Sequence, residues 1–103
     1  MDVKQFESKL KFESLMKDIE NIELSLNCVW NEQVKDLREH KAEFYYRVIN
    51  GLIKQIKKEC KVLGRTLYLK EKLKLKSIQQ KLIDNCSLSF QKEVKEDKEF
   101  NLQ

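Results

Sequence analysis

The sequence predicts an all-α fold, and three observations support that prediction. The 103 residues include no proline and only two glycines, so few positions interrupt a helix. Apolar residues recur every three or four positions along most of the chain, which is the period of an amphipathic helix. The β-branched and aromatic residues are too scattered to alternate as they do in strands. We expect about three helices in an elongated antiparallel bundle or hairpin. The alternative is one long helix that pairs with another chain as a coiled-coil subunit.

The first helix is predicted over residues 2–25. Asp2 is a good N-cap, and Gln5 follows it at the spacing of a capping box. Apolar residues then form a heptad-like seam. The seam consists of Phe12, Leu15, Ile19, Ile22, Leu26 and Val29. Ser25, Asn27 and Asn31 interrupt this pattern, because their side chains compete for backbone hydrogen bonds. They indicate either a turn or a continuous helix with a stutter in its repeat.

The second helix is predicted over residues 30–63 and the third over residues 66–86. Gly51 lies inside the second helix, where its missing side chain would let another helix approach closely. Gly64 is the expected end of that helix, since it follows three lysines suited to a helix C-terminus. Thr66 is then the expected cap of the third helix. Residues 1–90 would make a single helical domain, and residues 91–103 a frayed or disordered charged tail.

The positive charge of the chain is concentrated in its centre. The formal net charge is +4, yet residues 51–83 contain ten Lys or Arg and only two acids. On one continuous helix, six of these cations would lie within roughly 40° of one another, opposite the apolar stripe. They would form a ridge about 33 Å long. The predicted ridge consists of Lys54, Lys58, Lys61, Arg65, Lys72 and Lys76. A break in the helix at Gly64 would leave only the first four of these residues aligned on one helix face.

This ridge, with Trp30 and Tyr46 as aromatic contacts, is the predicted partner-binding surface. Tyr46 is expected to be exposed, whereas Phe44 and Tyr45 lie on the predicted seam. We expect a non-catalytic helical interaction or assembly protein that binds an acidic protein surface or helix, or a second copy of itself. One alternative is binding to nucleic acid or an anionic membrane surface through residues 54–81. The others are a stand-alone bundle and an ordinary solvated lysine face.

The nucleic-acid alternative has the weaker support. The chain has eighteen lysines and three arginines, whereas bidentate contacts to phosphate and guanine favour arginine. Tyr68 is the one aromatic residue among residues 51–83, the basic block, so the sequence offers no platform for stacking bases.

The sequence predicts no enzyme, metal site or cofactor. His40 is the only histidine and is expected at the surface. A nucleophilic Cys–His pair would require a fold-back that brings Cys28 or Cys60 to His40, with a third group to orient the imidazole. The three cysteines are expected to be free thiols, with Cys60 buried. No small-molecule substrate is predicted.

The N-terminus lacks the basic start and apolar run of a signal peptide, and no segment is long and apolar enough to span a bilayer. We therefore expect a soluble intracellular protein, with the cytoplasm, the cytoskeleton and the nucleus all open.

Overall fold

The computed structural model describes residues 2–96, and over that range the protein is all-α, as predicted. Its helical segments are α1 (Val3–Ser25), α2 (Asn27–Trp30), α3 (Lys35–Leu63), α4 (Leu69–Asp84) and α5 (Leu88–Glu96). The molecule measures 50 × 28 × 20 Å, so it is elongated. The single long helix is wrong, because the chain leaves the helical conformation between α2 and α3, α3 and α4, and α4 and α5. Across residues 2–96, no helix is both long enough and apolar enough to cross a membrane.

The start of α1 confirms the predicted cap, since the amide of Gln5 donates a 2.8 Å hydrogen bond to Asp2 Oδ1. Helix α1 ends at Ser25, but Leu26 keeps right-handed helical angles and α2 follows at once. The chain leaves the helical conformation only from Asn31, the last of the three polar residues. The second long helix then begins at Lys35, five residues later than predicted. Glu32 organises the connection, because its carboxylate accepts a 2.7 Å hydrogen bond from Lys41 Nζ and one from the Val34 amide. The hydrogen bond between Glu32 and Lys41 lowers the pKa of the Glu32 carboxyl and raises the pKa of the Lys41 amine.

Helix α3 is the central element, and both neighbours run antiparallel to it. Its beginning lies beside α2, where Cys28 Sγ is 3.8 Å from the Tyr45 hydroxyl. Its end lies beside the first half of α1. On its other flank the buried side chains of Gln79 on α4 and Asn50 are hydrogen-bonded. Apolar side chains from every element fill the space between the helices. The largest of the fully buried side chains are Ile19, Leu26, Val29, Tyr46, Ile49, Ile56, Leu75 and Leu82.

The corner between α3 and α4 follows from Gly64, as predicted. Gly64 has φ +66°, the left-handed conformation that favours glycine, and α3 ends at the residue before it. The amides of Gly64 and Arg65 donate hydrogen bonds to the carbonyls of Lys61 and Cys60, in the last turn of α3. Thr66, however, does not cap the next helix. Helix α4 begins at Leu69, where Glu71 accepts a 2.8 Å hydrogen bond from the Tyr68 amide.

The C-terminal segment corrects a prediction. Residues 91–96, assigned from the sequence to a frayed or disordered tail, belong to helix α5. Phe90 and Val94, four residues apart, turn to the same side of that helix and are buried. The Phe90 ring meets Tyr46 edge to face, with centroids 5.8 Å apart. The remaining tail prediction, for residues 97–103, lies outside the described residues.

The two glycines make a matched pair for a stability test. Gly51 is exposed in the interior of α3, and a Cβ there would meet nothing within 4 Å. The expected close approach of another helix at Gly51 is therefore wrong. Gly51→Ala should raise the free energy of unfolding by about 1 kcal/mol, because alanine restricts the unfolded chain and favours the helix. Gly64→Ala should lower it by about 1–2 kcal/mol, because φ is positive there.

Urea unfolding followed by circular dichroism measures both changes. Equal effects of the same sign would contradict this account of the two glycines.

The Cys86 thiol is buried at the end of α4, and its Sγ donates to the Leu82 carbonyl at 3.2 Å. Burial raises the pKa of Cys86 from 9.0 to about 12. A buried thiolate would form without water around it, which is unfavourable. The folded state therefore keeps the Cys86 proton at pH values at which the unfolded chain has already lost it.

Because the pKa of Cys86 differs between the folded and the unfolded chain, the free energy of unfolding depends on pH. Between about pH 9 and about pH 12, burial of Cys86 should reduce the free energy of unfolding by up to about 1.4 kcal/mol per pH unit. Below pH 9 its contribution is fully present. The measurement is urea unfolding at several pH values for the wild type, Cys86→Ala and Cys86→Ser. Both variants remove the titrating thiol, so their stability should fall less steeply than that of the wild type. Three parallel curves would show that Cys86 contributes nothing to the slope.

Candidate functional site

The fold divides the predicted basic ridge into two parts. Lys54, Lys58 and Lys61 lie on α3, whereas Lys72 and Lys76 lie on α4, which runs in the opposite direction. A continuous ridge of about 33 Å is therefore wrong, because the left-handed Gly64 reverses the chain between the two halves. The break also brings the start of α4 back toward the end of α3. Cations that are distant along a straight helix become neighbours at this corner.

The neighbours enclose a concavity of about 230 Å³, which we call the basic pocket. Its lining residues are Lys57, Cys60, Lys61, Arg65, Thr66, Leu67 and Lys72. Cys60 and Leu67 are buried and provide an apolar floor. Four cations surround it, and no carboxylate of residues 2–96 lines it. Of the six predicted ridge residues, the pocket includes Lys61, Arg65 and Lys72 and leaves out Lys54, Lys58 and Lys76.

Arg65 has a structural role that the ridge hypothesis did not foresee. Its guanidinium lies 4.4 Å from the ring centroid of Phe12 and 4.4 Å from that of Tyr68. Nη2 donates to Glu71 Oε1 at 2.9 Å, and Nε donates to the Thr66 carbonyl at 3.2 Å. Its charge is thus balanced by Glu71 within the protein. Arg65 is a wall of the basic pocket and not a free cation on a ridge.

The three lysines of the pocket have no such balance. Lys57, Lys61 and Lys72 make no ion pair with any residue between 2 and 96. Lys57 and Lys61 are one turn apart on α3, a spacing at which like charges repel. The acid on this part of α3, Glu59, lines a groove with residues of α1 instead, together with Lys58. The corner therefore carries three positive charges that no described residue neutralises.

An exposed apolar surface adjoins these charges on α4. Leu69 and Leu73 are one turn apart and are 72% and 58% exposed, and we call this pair the leucine face. Lys72, which lines the basic pocket, and Lys76 lie on the same side of α4 as the leucines, because positions three and four apart share a helix face. The sequence suggested that apolar and cationic residues lie on opposite sides of one helix. In the folded chain they adjoin at the start of α4.

The two predicted aromatic contacts are not at this corner. Tyr46, expected to be exposed, is 1% exposed and packs against Phe90 of α5, so that prediction is wrong. Burial raises the pKa of its hydroxyl. Trp30 is half-buried against the core, with Lys81 Nζ 4.5 Å from its ring centroid. Phe44, expected on the seam, is instead 60% exposed.

Cys28 and His40 both line a second concavity, of about 560 Å³. The chain thus folds back in the way that the sequence required for a Cys–His pair. The Cys28 thiol is hydrogen-bonded to the Tyr45 hydroxyl, and among residues 2–96 no hydrogen bond joins it to His40. The hydrogen bond from the Cys28 thiol raises the pKa of Tyr45. No group of three His, Cys, Asp or Glu within residues 2–96 is arranged to hold a metal ion.

Sequence reasoning missed Lys57, Leu69 and Leu73 as site residues. Lys57 is about 60° from Lys54 around α3, outside the narrow ridge of a straight-helix projection. Its spacing from Lys61, four residues, was the signal that could have identified it. Leu69 and Leu73 show the same spacing on α4, but only the fold shows that no other helix of residues 2–96 covers them.

Comparisons with protein-family models, with curated proteins and with solved structures give no match to this chain. What the corner can bind therefore follows from the charges and shape of its own residues.

Proposed function

We propose that this protein is a non-catalytic interaction or assembly subunit that binds an acidic amphipathic helix of a partner protein at the α3–α4 corner. The observation that carries the proposal is the exposed leucine face beside three lysines of the basic pocket that no residue between 2 and 96 neutralises. An acidic helix with apolar residues one turn apart would cover Leu69 and Leu73. Its flanking carboxylates would face the lysines.

Two features favour a protein partner over nucleic acid. The arginine of the pocket, the residue best suited to bidentate phosphate contacts, is already bound to Glu71. The aromatic ring at the corner, that of Tyr68, has Arg65 over it, although the residue is 69% exposed. A nucleic acid would therefore find one ring for stacking, whereas single-stranded binding uses several rings on which successive bases stack.

Shape argues against a flat anionic membrane. The lysines of the basic pocket surround a concavity, so a planar surface would not reach all of them at once. A membrane-binding helix also buries a broad apolar face, whereas the leucine face comprises two residues.

The proposal predicts binding of a model peptide. A fluorescent helical peptide with leucines one turn apart and glutamates on both flanks should bind the wild type at low salt. Affinity should weaken as salt rises, because exposed charges are screened. Lys61→Glu/Lys72→Glu should weaken binding at least about tenfold, since it places negative charge against the glutamates. Fluorescence anisotropy measures the dissociation constants.

Lys58→Glu is the matched control, because Lys58 is exposed on the same helix but lines a different groove. Its affinity should stay within about twofold of the wild type. The absence of peptide binding at low salt, or equal losses in the control and the double variant, would refute the proposal. Tight binding to duplex DNA or phosphatidylserine vesicles without peptide binding would favour those partners instead.

A further inference from the structure

The charge and size of the basic pocket point to a more specific ligand than a row of carboxylates. We infer that the pocket receives the phosphate group of a phosphorylated side chain on the partner helix. This inference rests on the proposed function, because it specifies which group of the partner enters the pocket. Its support comes from the number of cations, the donors they have left and the depth of the site.

The number of free charges matches a phosphate monoester better than a carboxylate. Lys57, Lys61 and Lys72 are three cations without a described counter-charge around one concavity. A carboxylate has one negative charge and two oxygens. A phosphate monoester has a charge of about −1.5 to −2 at pH 7 and three terminal oxygens that accept strong hydrogen bonds. One phosphate group therefore provides an oxygen for each lysine.

Arg65 adds hydrogen-bond donors without adding free charge. A guanidinium has five N–H donors. One goes to Glu71 and one to the Thr66 carbonyl, so three remain. Contacts with the rings of Phe12 and Tyr68, together with these two hydrogen bonds, restrict the movement of the guanidinium. A fixed donor at the wall of a pocket costs less conformational entropy on binding than a free side chain does.

The rest of the pocket is suited to the stem of a modified side chain. Cys60 and Leu67 form an apolar floor, and the volume of about 230 Å³ exceeds that of a phosphate group alone. In the last turn of α3 the carbonyls of Lys61 and Cys60 accept hydrogen bonds from the Gly64 and Arg65 amides, which reduces the repulsion of an anion by these two carbonyls. The leucine face begins beside Lys72, so a helix lying on it can present a phosphorylated residue to the pocket.

The test uses the full chain and a set of four acidic amphipathic peptides. Each peptide carries one phosphoserine at a different position of a single helical turn, and each has an unphosphorylated twin. At least one phosphorylated peptide should bind about tenfold or more tightly than its twin. The gain should fall when the pH is lowered from 7.5 to 5.5, because the monoester takes up a proton near pH 6.

Lys57→Ala/Lys61→Ala should abolish the phosphate-dependent gain, and Lys58→Ala should preserve it. The inference is overturned if all four phosphopeptides bind no more tightly than their twins, or if the gain survives in the double variant. In that case continued binding of the unphosphorylated peptides would leave the proposed function intact. If inorganic phosphate alone shifts the NMR signals of Lys57, Lys61 and Lys72 while no phosphopeptide gains affinity, the site binds free oxyanions, and the inference is also overturned.

Discussion

The guanidinium of Arg65 contacts the rings of both Phe12 and Tyr68, 4.4 Å from each centroid, and also binds Glu71. One side chain thus joins α1, the corner after α3 and the first turn of α4. Cation–π contacts contribute about 0.5–2 kcal/mol each, depending on how dry they are. Ion pairs from Lys74 to Glu20 and Glu23, at 3.9 and 3.4 Å, also join α4 to α1. They are exposed and contribute little. Arg65 is therefore the contact that fixes the start of α4.

The position of α4 in turn decides what the lysines of the chain can do. Gly64 ends α3 in the left-handed conformation, and Arg65 fixes the direction in which the chain continues. Lys72 then faces Lys57 and Lys61 across the basic pocket. On a straight helix Lys72 would lie at least about 16 Å along the axis from Lys57 and Lys61, so salt would largely screen its repulsion of them. The fold gathers their charge at one point, beside the exposed leucine face.

Local features of the fold were readable from the sequence because they depend on neighbouring residues. The Asp2 cap and the end of α3 at Gly64 are of this kind. The helical period also identified Phe12 and Ile19, two of the three buried residues of α1, but it placed the exposed Phe44 on the seam of α3. Features that depend on contacts between helices were not readable. Tyr46 is buried because α5 covers it, and the sequence analysis assigned most of α5 to a tail. Phe90 and Val94 are four residues apart, a helical spacing, but two apolar residues in a charged segment do not predict a packed helix.

The candidate site shows the same limit. The basic block and three of its pocket residues were identified from charge alone, but their grouping into a concavity required the reversal at Gly64. Projection onto one continuous helix placed Lys72 and Lys76 in line with Lys54 and missed Lys57. The same projection treated Arg65 as a free cation, since neither Phe12 nor Glu71 lies close to it on a straight helix. Charge patterns therefore located the site, and tertiary contacts gave it its shape.

A double-mutant cycle between Phe12 and Arg65 tests the central claim most directly. Phe12→Leu keeps an apolar side chain but removes the ring, and Arg65→Lys keeps the charge but removes the planar guanidinium. Urea unfolding of the wild type, both single variants and the double variant gives the coupling free energy. The structure predicts a coupling of about 0.5–2 kcal/mol in favour of the wild-type pair. Effects that add to within about 0.3 kcal/mol would contradict the claim that Arg65 joins α1 to the α3–α4 corner.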